Sequence, residues 1–140
     1  MKLTLRFLLS MCAAALLLGV ASCAPKAVPT DPASVVRAVF EAINQGHGET
    51  AASFFAPDAQ WITAIGQPSG SQKILSWIRD GWIPLKTRLE IKEIQASGDN
   101  VTGVFTVQNV SDEFHSPTPL ALSAVVQNGK ITSMTWTTKK

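Results

Sequence analysis

Apolar residues follow two different periods along this chain. Val35, Val36, Val39, Phe40 and Ile43 recur at helical spacing and predict a helix with one apolar stripe. Asp31-Pro32 opens that helix, with a side-chain acceptor at the N-cap and proline at the first helical position. Gly46 and Gly48 close it. Glu49 to Phe55 reads as a short second helix that stops before Pro57. Gln60 to Ile65 is a strand, Gly66 to Gly70 a loop, and Ser71 the cap of a third helix carrying Ile74, Leu75, Ile78 and Trp82.

The period then changes to two. Leu85, Thr87, Leu89 and Ile91 alternate with Lys86, Arg88, Glu90 and Lys92, the pattern of a half-buried strand. The alternation breaks at Glu93-Ile94, which predicts a bulge. Ser97 to Asn100 turns the chain into Val101 to Val110. Ser111 to Pro119 is a loop, and Leu120 to Gln127 a further strand. Asn128-Gly129 joins it to Lys130 to Thr138. That dipeptide between two β-rich runs is a strong hairpin signal, because both central positions of a type I′ turn need positive φ. The order is helix, helix, strand, helix, then four strands, in one domain.

The first residues follow another logic. Lys2 and Arg6 precede an apolar run, Phe7 to Val20, broken by Ser10. This is the charge-then-hydrophobic order of a secretory signal, and the run is shorter than the roughly 20 residues of a membrane-spanning helix. Val20-Ala21-Ser22-Cys23 resembles the bacterial lipobox. That resemblance implies cleavage after residue 22 and lipid on Cys23. It makes residues 23–31, rich in proline, a lipidated tether, and 32–140 the working domain. By resemblance to enterobacterial sorting, Ala24 directs such a protein to the periplasmic face of the outer membrane. In a single-membrane species it would lie on the outer face of the cell membrane.

Cleavage also changes the charge. The chain has 12 basic and 10 acidic side chains, and Lys2 and Arg6 leave with the signal, so the remainder is balanced. A nucleic-acid binder needs a basic face to displace counterions, so no nucleic-acid partner is expected. Lys86, Arg88 and Lys92 read as the solvated side of a strand. Of two cysteines only Cys23 would remain, which excludes an intrachain disulfide. No metal-ligand spacing, nucleophile elbow or phosphate loop is visible, and neither metal nor cofactor is expected.

Two stretches carry a family likeness: Val35 to Gly46, and Phe54-Phe55-Ala56-Pro57-Asp58-Ala59-Gln60-Trp61. Together with Asn128-Gly129-Lys130-Ile131, and in this order, they resemble the nuclear transport factor 2-like superfamily and its SnoaL-like branch. The likeness runs from about residue 33 to 138. It implies an α+β, cystatin-like cone, in which N-terminal helices pack into a curved antiparallel sheet and leave a pocket at the wide end. It also implies pairing of two copies through the sheet.

Ketosteroid isomerases of this superfamily hold an oxyanion with a Tyr and a neutral acid while an Asp moves the proton. The matching positions here are Val39, Leu122 or Ser123, and Thr63, and the chain has no Tyr. Val and Leu carry no transferable proton, and Thr is too weak a base at neutral pH. Asp58 and His47 read as turn residues. Asp112, Glu113 and His115 are the one local cluster with acid and imidazole together, and a resemblance to the scytalone dehydratase branch would let an Asp–His pair orient a water. Four tryptophans include Trp61, Trp82 and Trp136, which with Phe40 are the candidates to line a pocket for an apolar ligand. The expectation is therefore a membrane-anchored binder of a small apolar molecule or a protein partner, without catalysis. The alternatives are a hydratase, cyclase or isomerase built on His115 and Asp112, or a structural module that forms a homodimer.

Overall fold

The computed structural model describes residues 27–139, so the signal segment and Cys23 lie outside the described residues. Helix α1 spans Pro32–Asn44 and buries Val35, Val36, Val39, Phe40 and Ile43, the stripe read from the sequence. Asp31 caps it: its carboxylate accepts from Ser34 N at 3.0 Å and from Ser34 Oγ at 2.7 Å. The Ser34 hydroxyl, then the Ser34 amide, hold the Asp31 carboxyl below its ordinary range. Gly46, at φ 77°, takes the chain out of the helix.

Several boundaries move. Helix α2 is Gly48–Ser53, and β1 is Phe55–Ile62, so the strand begins five residues before the expected Gln60 and contains Pro57. Proline is tolerated because β1 is an edge strand and Pro57 falls in its irregular stretch, between the Phe55–Ile131 and Gln60–Ser133 pairs. Helix α3, Ser71–Ser76, is not capped by Ser71. Gly70, at φ 89°, precedes it without a side-chain bond, and Ser71 is its first residue. The helix then widens into a π turn, Trp77–Trp82, in which Ile83 N donates to Ile78 O at 3.0 Å. Strand β2, Arg88–Ser97, starts after the expected Leu85 because Lys86 takes φ 55° and breaks the extended run. Strands β3, β4 and β5 are Asn100–Gln108, Thr118–Gln127 and Lys130–Thr138.

The sheet runs in the order β1-β5-β4-β3-β2. Three pairings are antiparallel, as expected, but β1 lies parallel to β5, with Trp61 opposite Met134. The sheet is therefore mixed. Neighbouring hairpin strands announce their pairing through a turn, whereas β1 reaches β5 only after the whole remaining chain. The bulge falls one residue earlier than expected, at Lys92, between the Ile91–Phe105 and Glu93–Val104 pairs. Opposite it, a Cβ on Gly103 would collide with the Glu93 carbonyl oxygen, so the backbones meet where only glycine fits. Asn128 and Gly129 adopt φ 51° and 73°, the type I′ turn that the sequence predicts.

Helix α1 lies across the concave face of the sheet and is pinned by Asn44. Its amide donates to Leu89 O at 2.8 Å and accepts from Leu89 N at 2.7 Å. Of the stretch expected as tether, residues 27–31 are described, and they do not stand clear of the domain. A Cβ on Gly129 would sit 3.7 Å from Pro29 O and 3.7 Å from Thr30 Cα, so this segment lies against the β4–β5 turn.

Candidate functional site

The concave side of the sheet meets α1 and the π turn in a cluster of aromatic rings. Trp136, on β5, is its hub. Ring centroids lie 4.7 Å from Trp61 on β1, 4.8 Å from Phe105 on β3, 5.5 Å from Trp82 at the end of the π turn and 5.6 Å from Phe40 on α1. Trp61 stacks on Trp82 at 6.3 Å with planes 18° apart, and on its other neighbour Phe55 at 5.7 Å. Phe40, Trp61, Trp82, Phe105 and Trp136 are each at most 3% exposed. The interior expected as a pocket is filled by its own side chains. Trp61 and Phe40, expected as pocket lining, are core residues behind it.

What remains is a crevice of about 150 Å³ at one end of the sheet. Its walls are Trp82, Trp136, Leu120, Phe114, Ala64 and Ile65, with Thr63, Thr118, Thr138 and Glu113 at the edge. Each wall comes from the end of an element: the close of β1, the π turn, the start of β4 and the close of β5. The fifth component is the loop after β3, and Asn109 fixes it. Its Oδ1 accepts from Ser111 N at 2.9 Å and from the Ser111 hydroxyl, while Asn109 N donates to Phe114 O at 2.8 Å. This turn carries Phe114 inward, where it packs 6.4 Å from Trp82. Sequence reasoning passed over Asn109, although an Asn two residues before a Ser is the local signal of such a side-chain-capped turn.

Polar groups at the crevice are mostly committed. Thr63 Oγ1 donates to Gly66 O at 2.8 Å and accepts from Gly66 N at 3.0 Å, closing the turn after β1. The indoles differ. Nε1 of Trp61, Trp77, Trp82 and Trp136 are buried with no hydrogen-bond partner among the described residues. A buried donor left unpaired costs about 1–3 kcal/mol, so these indoles are held in place by ring packing and not by hydrogen bonds.

The local acid–imidazole cluster does not assemble. His115 is exposed, and its Nδ1 meets the backbone oxygen of Asp112 at 3.0 Å rather than the carboxylate. Asp112 is exposed, and neither it nor His115 lines the crevice, whereas Glu113 does. Val39 is fully buried in α1. Leu122 faces inward, paired with Trp136, and Ser123 faces outward, so Leu122 is the side chain presented to the interior. Among the described residues no group of three or more His, Cys, Asp or Glu side chains converges as a metal site. A wider depression, about 740 Å³, lies between Gln67, Pro68, Lys73, Trp77 and Asp80. It is open and partly charged, and it encloses less than the crevice does.

A profile of the SnoaL-like domain matches residues 36–134. No curated protein matches the chain. Among solved structures, an NTF2-like protein of unknown function from Cytophaga hutchinsonii superposes with a TM-score of 0.66 at 13% identity, covering 80% of this chain and 91% of that one. A candidate polyketide cyclase from Sinorhizobium meliloti gives a TM-score of 0.66 at 22% identity, over 74% and 93% of the two chains. A protein with a ketosteroid isomerase-like fold from Catenulispora acidiphila, in complex with trimethylamine, gives 0.65 at 21% identity, over 73% and 82%.

Proposed function

Since the chain belongs to the SnoaL-like family, we propose that its domain works as a non-catalytic binding module for one small, neutral, apolar molecule. The protein that carries it is exported and lipid-anchored through Cys23, at the periplasmic face of an outer membrane or the outer face of a cell membrane. The observation that carries the reading is the aromatic filling of the cone, which leaves about 150 Å³. Ligand sites for drug-sized molecules span roughly 300–1,000 Å³, whereas an apolar cavity of about 150 Å³ holds a single benzene ring.

The alternative of a hydratase, cyclase or isomerase using His115 and Asp112 has weaker support. The pair is not coupled side chain to side chain, and neither group reaches the crevice. Glu113 alone among the lining residues is ionisable, and a lone exposed acid at the rim has no partner with which to share proton transfer.

Cyclohexanone, with one ring and one carbonyl, tests the binding reading by titration into the 15N-labelled domain. The indole N–H signals of Trp82 and Trp136 are expected to move, and that of Trp77 to stay. Unmoved signals from both crevice tryptophans up to the solubility of the ketone would count against the proposal.

A homodimer is the second reading, and the convex face of the sheet favours it. Thr102, Val104 and Thr106 on β3, Pro119, Ala121, Ser123 and Val125 on β4, and Ser133, Thr135 and Thr137 on β5 share that face without a single charge. A self-pairing face must avoid opposing like charges; the β3–β5 part of this face does, while β2 beside it carries Arg88, Glu90 and Glu93. Sedimentation of the wild type beside Ser123→Arg tests it: a dimer lost in the variant supports pairing here, and a monomeric wild type excludes it.

A further inference from the structure

We infer that the lipid anchor holds the β4–β5 turn toward the bilayer and directs the crevice into the aqueous space, so its guest arrives from water and not by withdrawal from the membrane. This rests on the reading that Cys23 carries lipid. The geometry comes from where the chain leaves the domain. Pro29 and Thr30 lie against Gly129, in the turn between β4 and β5. The crevice is built from the opposite ends of the same two strands, Thr118 and Leu120 at the start of β4, Trp136 and Thr138 at the close of β5.

Two lengths decide the orientation. From Cys23 to the docked Pro29, a fully extended chain reaches at most about 21 Å, at roughly 3.5 Å per residue. From the turn to the crevice, β4 runs its whole length, up to roughly 30 Å at about 3.3 Å per residue. The turn is therefore leashed close to the lipid headgroups, and the crevice lies a further strand length away. Were residues 27–31 free of the domain, the leash would lengthen and the preference would weaken. Docking at Gly129 is what converts a tether into an orienting contact.

The test uses the full, lipidated chain in vesicles of phosphatidylethanolamine and phosphatidylglycerol that contain a headgroup-linked acceptor dye. With Cys23 lipidated and Cys12 removed with the signal, an introduced cysteine is the one reactive thiol. Gln127→Cys marks the turn end and Ser116→Cys the crevice end, both at exposed positions. Flotation comes first: protein that fails to float with the vesicles refutes the anchor, and the orientation with it. For protein that floats, energy transfer to the lipid dye is expected to be several-fold stronger from position 127 than from 116. Equal or reversed transfer would overturn the orientation while leaving the anchor intact. Inserting a ten-residue Gly-Ser spacer after Cys23 is expected to shrink the difference. A difference unchanged by the spacer would show that the short leash does not set it.

Discussion

The indole of Trp136 meets that of Trp61 edge to face, with centroids 4.7 Å apart and planes 74° apart, at the centre of the space that the fold would otherwise leave open. Aromatic pairs in this arrangement contribute about 0.5–1.5 kcal/mol beyond the area they bury. Trp136 also contacts Phe40, Phe105 and Trp82, so one side chain joins α1, β1, β3 and the π turn. Trp136→Ala is expected to lower stability by about 3–5 kcal/mol in urea unfolding. Trp77→Ala, at a half-buried ring on the edge of the cluster, is expected to cost clearly less. Equal losses would mean that the cluster has no centre.

Asn44 replaces a missing strand neighbour for Leu89 by supplying both an acceptor and a donor to its backbone. Asn44→Ala leaves two main-chain groups unpaired next to a buried side chain. A loss of about 1–3 kcal/mol is expected. Asn44→Asp keeps the acceptor but sets a second acceptor against Leu89 O, and it is expected to recover little of that loss. Thermal unfolding of the three proteins decides, and a wild-type midpoint in Asn44→Ala would contradict the role.

Two glycines separate space from conformation. Gly103→Ala forces a methyl group against the Glu93 carbonyl, a backbone atom that cannot turn aside, and a loss of about 1–3 kcal/mol is expected. Gly81, in the π turn, has nothing within 4 Å of the position its Cβ would take. Gly81→Ala is expected to be neutral or to stabilise by up to about 1 kcal/mol, because alanine restricts the unfolded chain. Chemical denaturation of both variants tests the contrast, and a tolerant Gly103 would mean that the bulge at Lys92 relaxes.

The cap on α1 gives a pH dependence with a defined sign. The folded state holds the Asp31 carboxyl below its ordinary value of 3.8, chiefly through the Ser34 hydroxyl. A depressed carboxylate contributes stability that is present above the unfolded-state value and fades as pH falls through the folded one. Asp31→Ala is therefore expected to melt below the wild type at pH 7, with the gap narrowing below pH about 4. A gap that is constant between pH 7 and pH 2 would show that the charge plays no part.

Much of this architecture is legible in the sequence because it is local. The stripe on α1, the Asp31-Pro32 cap and the Asn128-Gly129 turn each depend on residues a few positions apart, and each forms as read. The parallel β1–β5 pairing is not local, and no turn signal marks it. The same limit governs the site. Trp61, Trp82 and Trp136 are visible as residues for the concave side, but whether these three indoles line a space or fill it depends on volumes contributed by α1, β1, β3, β5 and the π turn together. His115 and Asp112 are neighbours in sequence, and local spacing pairs them. The loop conformation set by Asn109 instead turns Phe114 inward and leaves both of them outside.

The size of the guest is the decisive property, and a series of neutral ligands read by indole N–H shifts in the domain measures it most directly. Cyclohexanone and acetophenone, with one ring and one acceptor, fit about 150 Å³ and are expected to shift Trp82 and Trp136 saturably. Naphthalene-sized ketones are expected to bind at least tenfold more weakly, and a four-ring steroid not at all, because Trp61 and Phe40 occupy the depth it would need. Saturable binding of the steroid, tighter than that of the single-ring ketones, would contradict the filled cone and return the domain to the open-pocket members of its superfamily.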